Sequence, residues 1–175
     1  FRPADAKETA ASFKIALQQT NTPCALLLTR QGIPILSLEE KTVYNGVSKG
    51  AYIIKDDDSP ELIFLATGSE VSLALEVSKL MNDKRVRVVS MPCWELFDAQ
   101  SKEYRDSIIP SRGAMKISFE AGITLGWERY IGPNGLSIGL DRFGASAPGK
   151  DLAEEFGFTP QKVSEKIINH LKKLL

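Results

Sequence analysis

Arg30 closes the apolar run Cys24-Ala25-Leu26-Leu27-Leu28-Thr29 and is followed by Gln31 and Gly32. An arginine at the end of a predicted strand has two readings. The strand has reached solvent, or the guanidinium waits for an anion. A guanidinium is always charged and presents a planar fork of donors, which matches phosphate oxygens. Local sequence leaves both readings open. The stretch from Gly144 to Lys150 has the spacing G-x-x-x-x-G-K and lies between a predicted strand and a predicted helix, where a phosphate loop belongs. Asp151 then stands where a Ser or Thr would ligate magnesium, and Pro148 lacks a backbone N–H that would cradle the phosphates. The segment therefore reads as a turn leading into a helix, with Ser146 as the cap and Pro148 at the first helical position. Ala66-Thr67-Gly68-Ser69-Glu70 is a second strand–glycine–helix junction. Helix N-termini bind anions, and ligands in open α/β sheets favour the carboxyl ends of strands. The G-x-G-x-x-G fingerprint is absent, however, and Glu70 already complements the helix dipole, so the junction reads as a structural cap. Glu120 ends a strand and could act as a buried general base, but no partner is evident. Trp94, Leu96 and Phe97 form a bulky cluster that is an exposed interaction patch, packs against another domain or subunit or, as is more common, seals the rim of a core.

Other chemistry is limited by what the chain contains. Cys24 and Cys93 are the two cysteines and form no C-x-x-C pair. They read as reduced, mostly buried thiols. The single histidine, His170, falls in the last helical turns and reads as a surface group, so a zinc site or a Ser-His-Asp triad lacks its histidine. Lys plus Arg and Asp plus Glu number 22 each, which argues against nucleic acid or an anionic membrane as a partner held by bulk charge. No apolar run is long enough to span a bilayer. The start, Phe1-Arg2-Pro3, has neither Met nor a signal-like pattern and reads as the interior of a longer chain.

These residues need elements to position them. Asp5 and Glu8 form a capping box, and Ala10, Phe13, Ala16 and Leu17 predict the apolar stripe of a helix to about Gln19. A strand over 24–29 follows, making an αβ tail that cannot bury itself alone. Residues 32–50 read as an irregular connection. Tyr52–Lys55 and Leu62–Ala66 are short strands, and the polar joint between them suggests an antiparallel pair. Ser69 should cap a helix to about Asn82. Strands over 86–91, 115–120 and 136–141 alternate with helices over 101–109, 126–131 and 148–156. A last helix from Pro160 has Val163, Ile167, Ile168, Leu171 and Leu174 as its apolar stripe. The expected fold is α/β: an open, five-stranded, mostly parallel sheet with one antiparallel strand, flanked by helices and preceded by the αβ tail.

Several segments resemble, in order, the C-terminal part of the transketolase family. They are Arg2-Pro3-Ala4-Asp5 with Glu8, Leu28-Thr29-Arg30-Gln31, Ile63 to Glu70 and Val86 to Pro92. Trp94 to Asp98, Phe119-Glu120-Ala121-Gly122 and Phe143 to Pro148 complete the series. The likeness covers essentially the whole chain. It implies a homodimeric, cytoplasmic parent enzyme of the pentose phosphate pathway. That parent is a transferase dependent on thiamine diphosphate and magnesium, which moves a two-carbon ketol unit between sugar phosphates. It also implies the domain plan: residues 1–36 end the pyrimidine-binding domain, 37–49 are a linker, and 50–175 form the C-terminal domain. Arg30 matches the family's arginine for the phosphate of the sugar substrate. That is the one site residue the resemblance carries over. Gln31 either orients it or is structural.

The family's metal–diphosphate signature, its cofactor-activating glutamate and its substrate histidines have no counterpart in this sequence. The chain alone is therefore expected to hold no thiamine diphosphate or magnesium and to catalyse nothing. Its partners would be sugar phosphates, the remainder of the parent chain and a second parent subunit, with no nucleic acid and no membrane. Two alternatives stay open. One is the corresponding part of a related thiamine enzyme, deoxyxylulose-phosphate synthase or the β part of a 2-oxoacid dehydrogenase. The other is a free-standing nucleotide-binding module using 144–150 or 68–70.

Overall fold

The computed structural model describes residues 1–174; Leu175, the end assigned to the last domain, lies outside them. Helices α1 (Ala6–Gln18) and α2 (Glu40–Ser48) precede the strands β1 (Tyr52–Lys55) and β2 (Leu62–Ala66). Then come α3 (Glu70–Leu80), β3 (Val86–Ser90), α4 (Trp94–Asp98), α5 (Lys102–Ile108) and β4 (Met115–Phe119). The chain continues through α6 (Glu128–Ile131), β5 (Leu136–Ile138), α7 (Gly149–Glu155) and α8 (Pro160–Leu174).

The five strands form one sheet in the order β1-β3-β2-β4-β5. β2 lies at the centre, parallel to β3 on one side and to β4 on the other, and β4 is parallel to β5. β1 is the antiparallel strand. It pairs with β3 and not, as the polar joint suggests, with β2. The joint at 56–61 is instead held across to β3, where Arg87 pairs with Asp56 at 2.7 Å and the Val86 N–H donates to Asp57 at 2.9 Å.

Alternation along β2 explains the layers, because successive side chains point to opposite faces. Leu62 and Phe64 join Val88, Ile117 and Phe119 against α3 and α8. Ile63 and Leu65 join Val89 and Met91 against Phe97, Ile108, Trp127 and Ile131 from the α4–α6 side. Each large apolar side chain withdrawn from water in these layers contributes about 1.5–3 kcal/mol. All five residues of β2 are buried, as a central parallel strand requires.

Other expectations are corrected. Residues 24–29 form no strand, because no neighbouring strand among the described residues meets them, and isolated extended chain leaves its backbone groups to solvent. The supposed irregular connection contains α2, whose Val43 and Val47 pack with Ala11, Ile15 and Tyr52. This contact reverses the reading of α1. Its buried face is Glu8, Ala11, Ser12 and Ile15, while Phe13 and Leu17 face outward. The capping box forms: Glu8 N–H donates to Asp5 Oδ1 at 2.8 Å, and Glu8 Oε2 accepts from the Ala4 N–H at 2.7 Å. Ser69 is the N-cap residue of α3, as expected, but its hydroxyl makes no cap hydrogen bond and donates instead to Glu70 Oε1 at 2.7 Å. Ser146 does not cap α7, whose N-cap is Pro148. In α8, Val163 and Ile167 are buried, but Ile168 and Leu174 are exposed because the sheet covers a narrower stripe than the sequence offers. The five-residue helix α4 was not expected. It folds because Phe97 fills the core between β3 and α5.

Gly50 and Gly46 show how closely α2 and β1 approach their neighbours. Gly50 has φ +84°, and a Cβ there would lie 2.3 Å from the Cys93 carbonyl oxygen. A Cβ on Gly46 would enter the Tyr52 ring, 2.2 Å from Cγ.

Candidate functional site

Arg30 lies in a bend after the extended segment 23–29 and is exposed. The segment is tied to the start of the chain: the Phe1 ammonium donates to the Ala25 carbonyl at 2.7 Å and the Leu27 N–H donates to the Phe1 carbonyl at 2.8 Å. Among the described residues Arg30 has no carboxylate partner. Its guanidinium is therefore free to take an anion. Leu27 and Leu28 beside it are also exposed, so the predicted buried run does not bury itself here.

The carboxyl ends of β2 and β4, where a ligand of an open sheet would sit, are filled from within. Arg2 reaches them from the start of the chain. Its guanidinium contacts Glu120 Oε1 through Nη1, and Nη2 lies 3.4 Å from Glu70 Oε2. Glu120 Oε2 accepts from the Trp127 indole N–H at 2.7 Å. Glu70 Oε2 also accepts from the Ala121 N–H at 3.0 Å. The Arg2 carbonyl accepts from the Gly68 N–H at 3.0 Å and from the Thr67 hydroxyl at 3.2 Å. Gly68, at φ +59°, has its Cα face against the arginine: a Cβ there would meet Nη2 at 3.3 Å.

Both oxygens of Glu120 are thus engaged, so it serves as a structural acceptor and not as a poised base. The junction at 66–70 is structural, as its sequence suggests: Ser69 is the N-cap residue of α3, and Arg2 fills the turn that precedes it. Sequence reasoning passed over this role of Arg2. Its partners stand 68 and 118 residues away, and no local pattern signals such a pairing.

The remaining candidates resolve simply. Residues 141–150 are exposed, and α7 begins at Gly149, so 144–150 is a turn leading into a short helix. Trp94 and Phe97 seal the core: Trp94 meets Trp127 edge-on at 4.8 Å, and Phe97 is buried. Cys93 is buried and burial pushes its thiol pKa up, but Cys24 is exposed, contrary to expectation, because its segment joins no sheet. The ring Nε2 of His170 lies 3.0 Å from the Asn134 carbonyl oxygen. Among the described residues no three His, Cys, Asp or Glu side chains converge to hold a metal ion. The residues present do not fit a magnesium–diphosphate cofactor: Glu70 and Glu120, the acids at the carboxyl end of the sheet, are already committed to Arg2.

Fold and site together define an α/β domain stabilised by its own Arg2 and carrying Arg30, without a carboxylate partner, outside the sheet, with no assembled reaction centre among the described residues. Residues 50–159 match the family described as the transketolase-like C-terminal domain, and the chain belongs to the transketolase family. It is 46% identical over 167 residues to a transketolase from Geobacillus stearothermophilus, a match covering 93% of this chain and 25% of that protein. Among solved structures, a transketolase variant from Pichia stipitis in complex with xylulose 5-phosphate superposes with a TM-score of 0.90 at 38% identity, covering 98% of this chain and 25% of that one. Transketolase from Leishmania mexicana gives a TM-score of 0.89 at 40% identity, with the same coverage. The chain spans about a quarter of the length of the relatives it matches. These matches do not favour the related thiamine enzymes or the nucleotide-binding module.

Proposed function

We propose that the chain is the carboxyl-terminal part of a transketolase whose whole form transfers a two-carbon ketol unit between sugar phosphates. The observation that carries this is the superposition, along nearly the whole chain, on transketolases solved with ketose phosphates. They hold xylulose 5-phosphate, fructose 6-phosphate and sedoheptulose 7-phosphate. In this reading residues 1–36 end the pyrimidine-binding domain, 37–49 connect, and 50–175 are the C-terminal domain. In the same reading, thiamine diphosphate and magnesium would be bound by the remainder of a homodimeric parent. The cytoplasm and the pentose phosphate pathway complete the proposal. This chain supplies binding and support.

Arg30 is its functional residue. An exposed guanidinium without a carboxylate partner can grip the substrate phosphate, and binding energy from that remote group holds the reacting carbon in place. Charge-assisted hydrogen bonds of about 1.5–3 kcal/mol correspond to roughly 10–150-fold in affinity. In the full-length enzyme, Arg30→Ala should raise KM for phosphorylated sugars by that order and leave unphosphorylated substrates nearly unchanged. Steady-state kinetics on matched pairs checks this, and equal losses for both classes would contradict the phosphate role.

A further inference from the structure

The opposite end of the sheet carries a cavity of 1120 Å³. It opens where the parallel strands begin, among residues 113–116 before and in β4, 132–135 before β5, and the facing sides of α5 and α6. None of residues 24–31 lines it.

Its lining is cationic: Lys84, Lys102, Arg105, Arg112, Lys116 and Arg129 face two carboxylates, Asp98 and Asp106. Asp106 is committed to Lys102, and Asp98 lies 3.0 Å from Arg129. Lys84 pairs with Asp83 at 3.4 Å. Arg105, Arg112 and Lys116 are left without a carboxylate among the described residues.

Two of these three are unusual. Lys116 is only 8% exposed, yet its ammonium makes a single long hydrogen bond, 3.4 Å to the Ala114 carbonyl oxygen. An ammonium has three donors, and the described protein groups take one of them. The Arg105 Nε–H is sealed from solvent and has no acceptor. Burial disfavours the charged form of Lys116 and pulls its pKa down. An anion entering the cavity would offset the Lys116 charge, and Arg105 lines the same cavity. Phe97, Ile109, Tyr130 and Leu171 supply apolar walls for the body of a small organic molecule, and the volume suits one.

We infer that this cavity binds a small molecule carrying two or more phosphate groups, with Lys116 and Arg105 as anchors and Arg112 at the rim. Two anchors in the interior and a third cation outside match a multiply charged ligand better than a lone anion. Phosphates are favoured because each arginine offers a fork of donors. The site is carried by residues that the substrate-phosphate role of Arg30 does not use.

Isothermal titration of the 175-residue chain with inorganic pyrophosphate and, separately, with fructose 1,6-bisphosphate tests the inference. The first probe carries adjacent phosphates and the second carries them on an organic body. Saturable one-to-one binding by either, with Kd below about 1 mM near physiological salt, is expected. Arg105→Gln and Lys116→Met should each weaken it at least fivefold, and Arg30→Gln should weaken it less. Lys116→Met removes a buried charge, so without probe its Tm should exceed that of the unaltered chain, and the probe should raise it by less. If Lys116→Met fails to fold, Arg105→Gln decides alone. Binding weaker than that limit for both probes, a loss under fivefold in Arg105→Gln, or an equal loss in Arg30→Gln would overturn the inference.

Discussion

Glu8 shows at the scale of one residue how an acid can hold two regions together. Its Oε1 accepts from the Tyr52 hydroxyl at 2.8 Å and from the Ser90 hydroxyl at 2.5 Å, while Oε2 accepts from the Ala4 N–H. One side chain on α1 is thereby tied to β1 and β3. Among the described residues no cation pairs with it, so burial raises its pKa above the ordinary 4.5 despite the hydrogen bonds that oppose the shift. The same burial, with the Glu8 charge beside it, raises the Tyr52 pKa. A folded-state pKa raised above its unfolded value gives a contribution fully present below the unfolded pKa and lost as pH rises through the folded one. The stability of the native chain relative to Glu8→Gln should therefore increase as pH falls from 7 toward 5. Urea unfolding of both forms at each pH measures this difference, in which the other titrating groups largely cancel. A difference that stays flat, or grows toward pH 7, would show that the hydrogen bonds outweigh burial.

At the scale of elements, α1 is the instructive case. Two apolar stripes share this helix. Ala11 and Ile15 pack on α2 and β1, while Phe13 and Leu17 point to solvent, Leu17 being 83% exposed. Leu27, Leu28 and Ile35 are exposed as well. This matches the proposal that the chain's first residues belong to a domain whose remaining sheet lies elsewhere in the parent. Ile15→Ala should cost about 2–4 kcal/mol by opening a cavity. Leu17→Lys should change the stability of this chain by no more than about 0.5 kcal/mol. Chemical denaturation of the two variants checks the contrast, and a large loss for Leu17→Lys would mean that the outer face is covered in solution.

For the whole molecule, the junction between the proposed domains decides which parts stand alone. An αβ tail cut off from its own sheet is expected to be protease-sensitive over residues 1–35 unless it self-associates. The structure instead fastens the first of them: Arg2 is locked at the carboxyl ends of β2 and β4, and α1 packs against α2. Lys7 donates to the Leu36 and Leu38 carbonyls at 3.1 and 2.6 Å, closing the far side of the loop. Limited proteolysis should therefore cut within 19–35 and spare 2–18, as exposed backbone without packing is the preferred substrate. Mass spectrometry of early fragments locates the cuts. Early cleavage inside α1 would show that the helix is docked too weakly to belong with the C-terminal domain.

Much of this was legible from local pattern. The alternation of apolar strands with helices, Pro160 opening α8, the capping box at Asp5 and Glu8, and the misfit of 144–150 to a phosphate loop all depend on near neighbours. So does the ordered series of segments that marks the family. The partner of β1, the buried face of α1, the lock formed by Arg2 and the uncompensated charge of Lys116 were settled only in three dimensions. Each depends on groups tens of residues apart, brought together by the folding of the sheet, and neither periodicity nor spacing encodes which distant surface a side chain will meet.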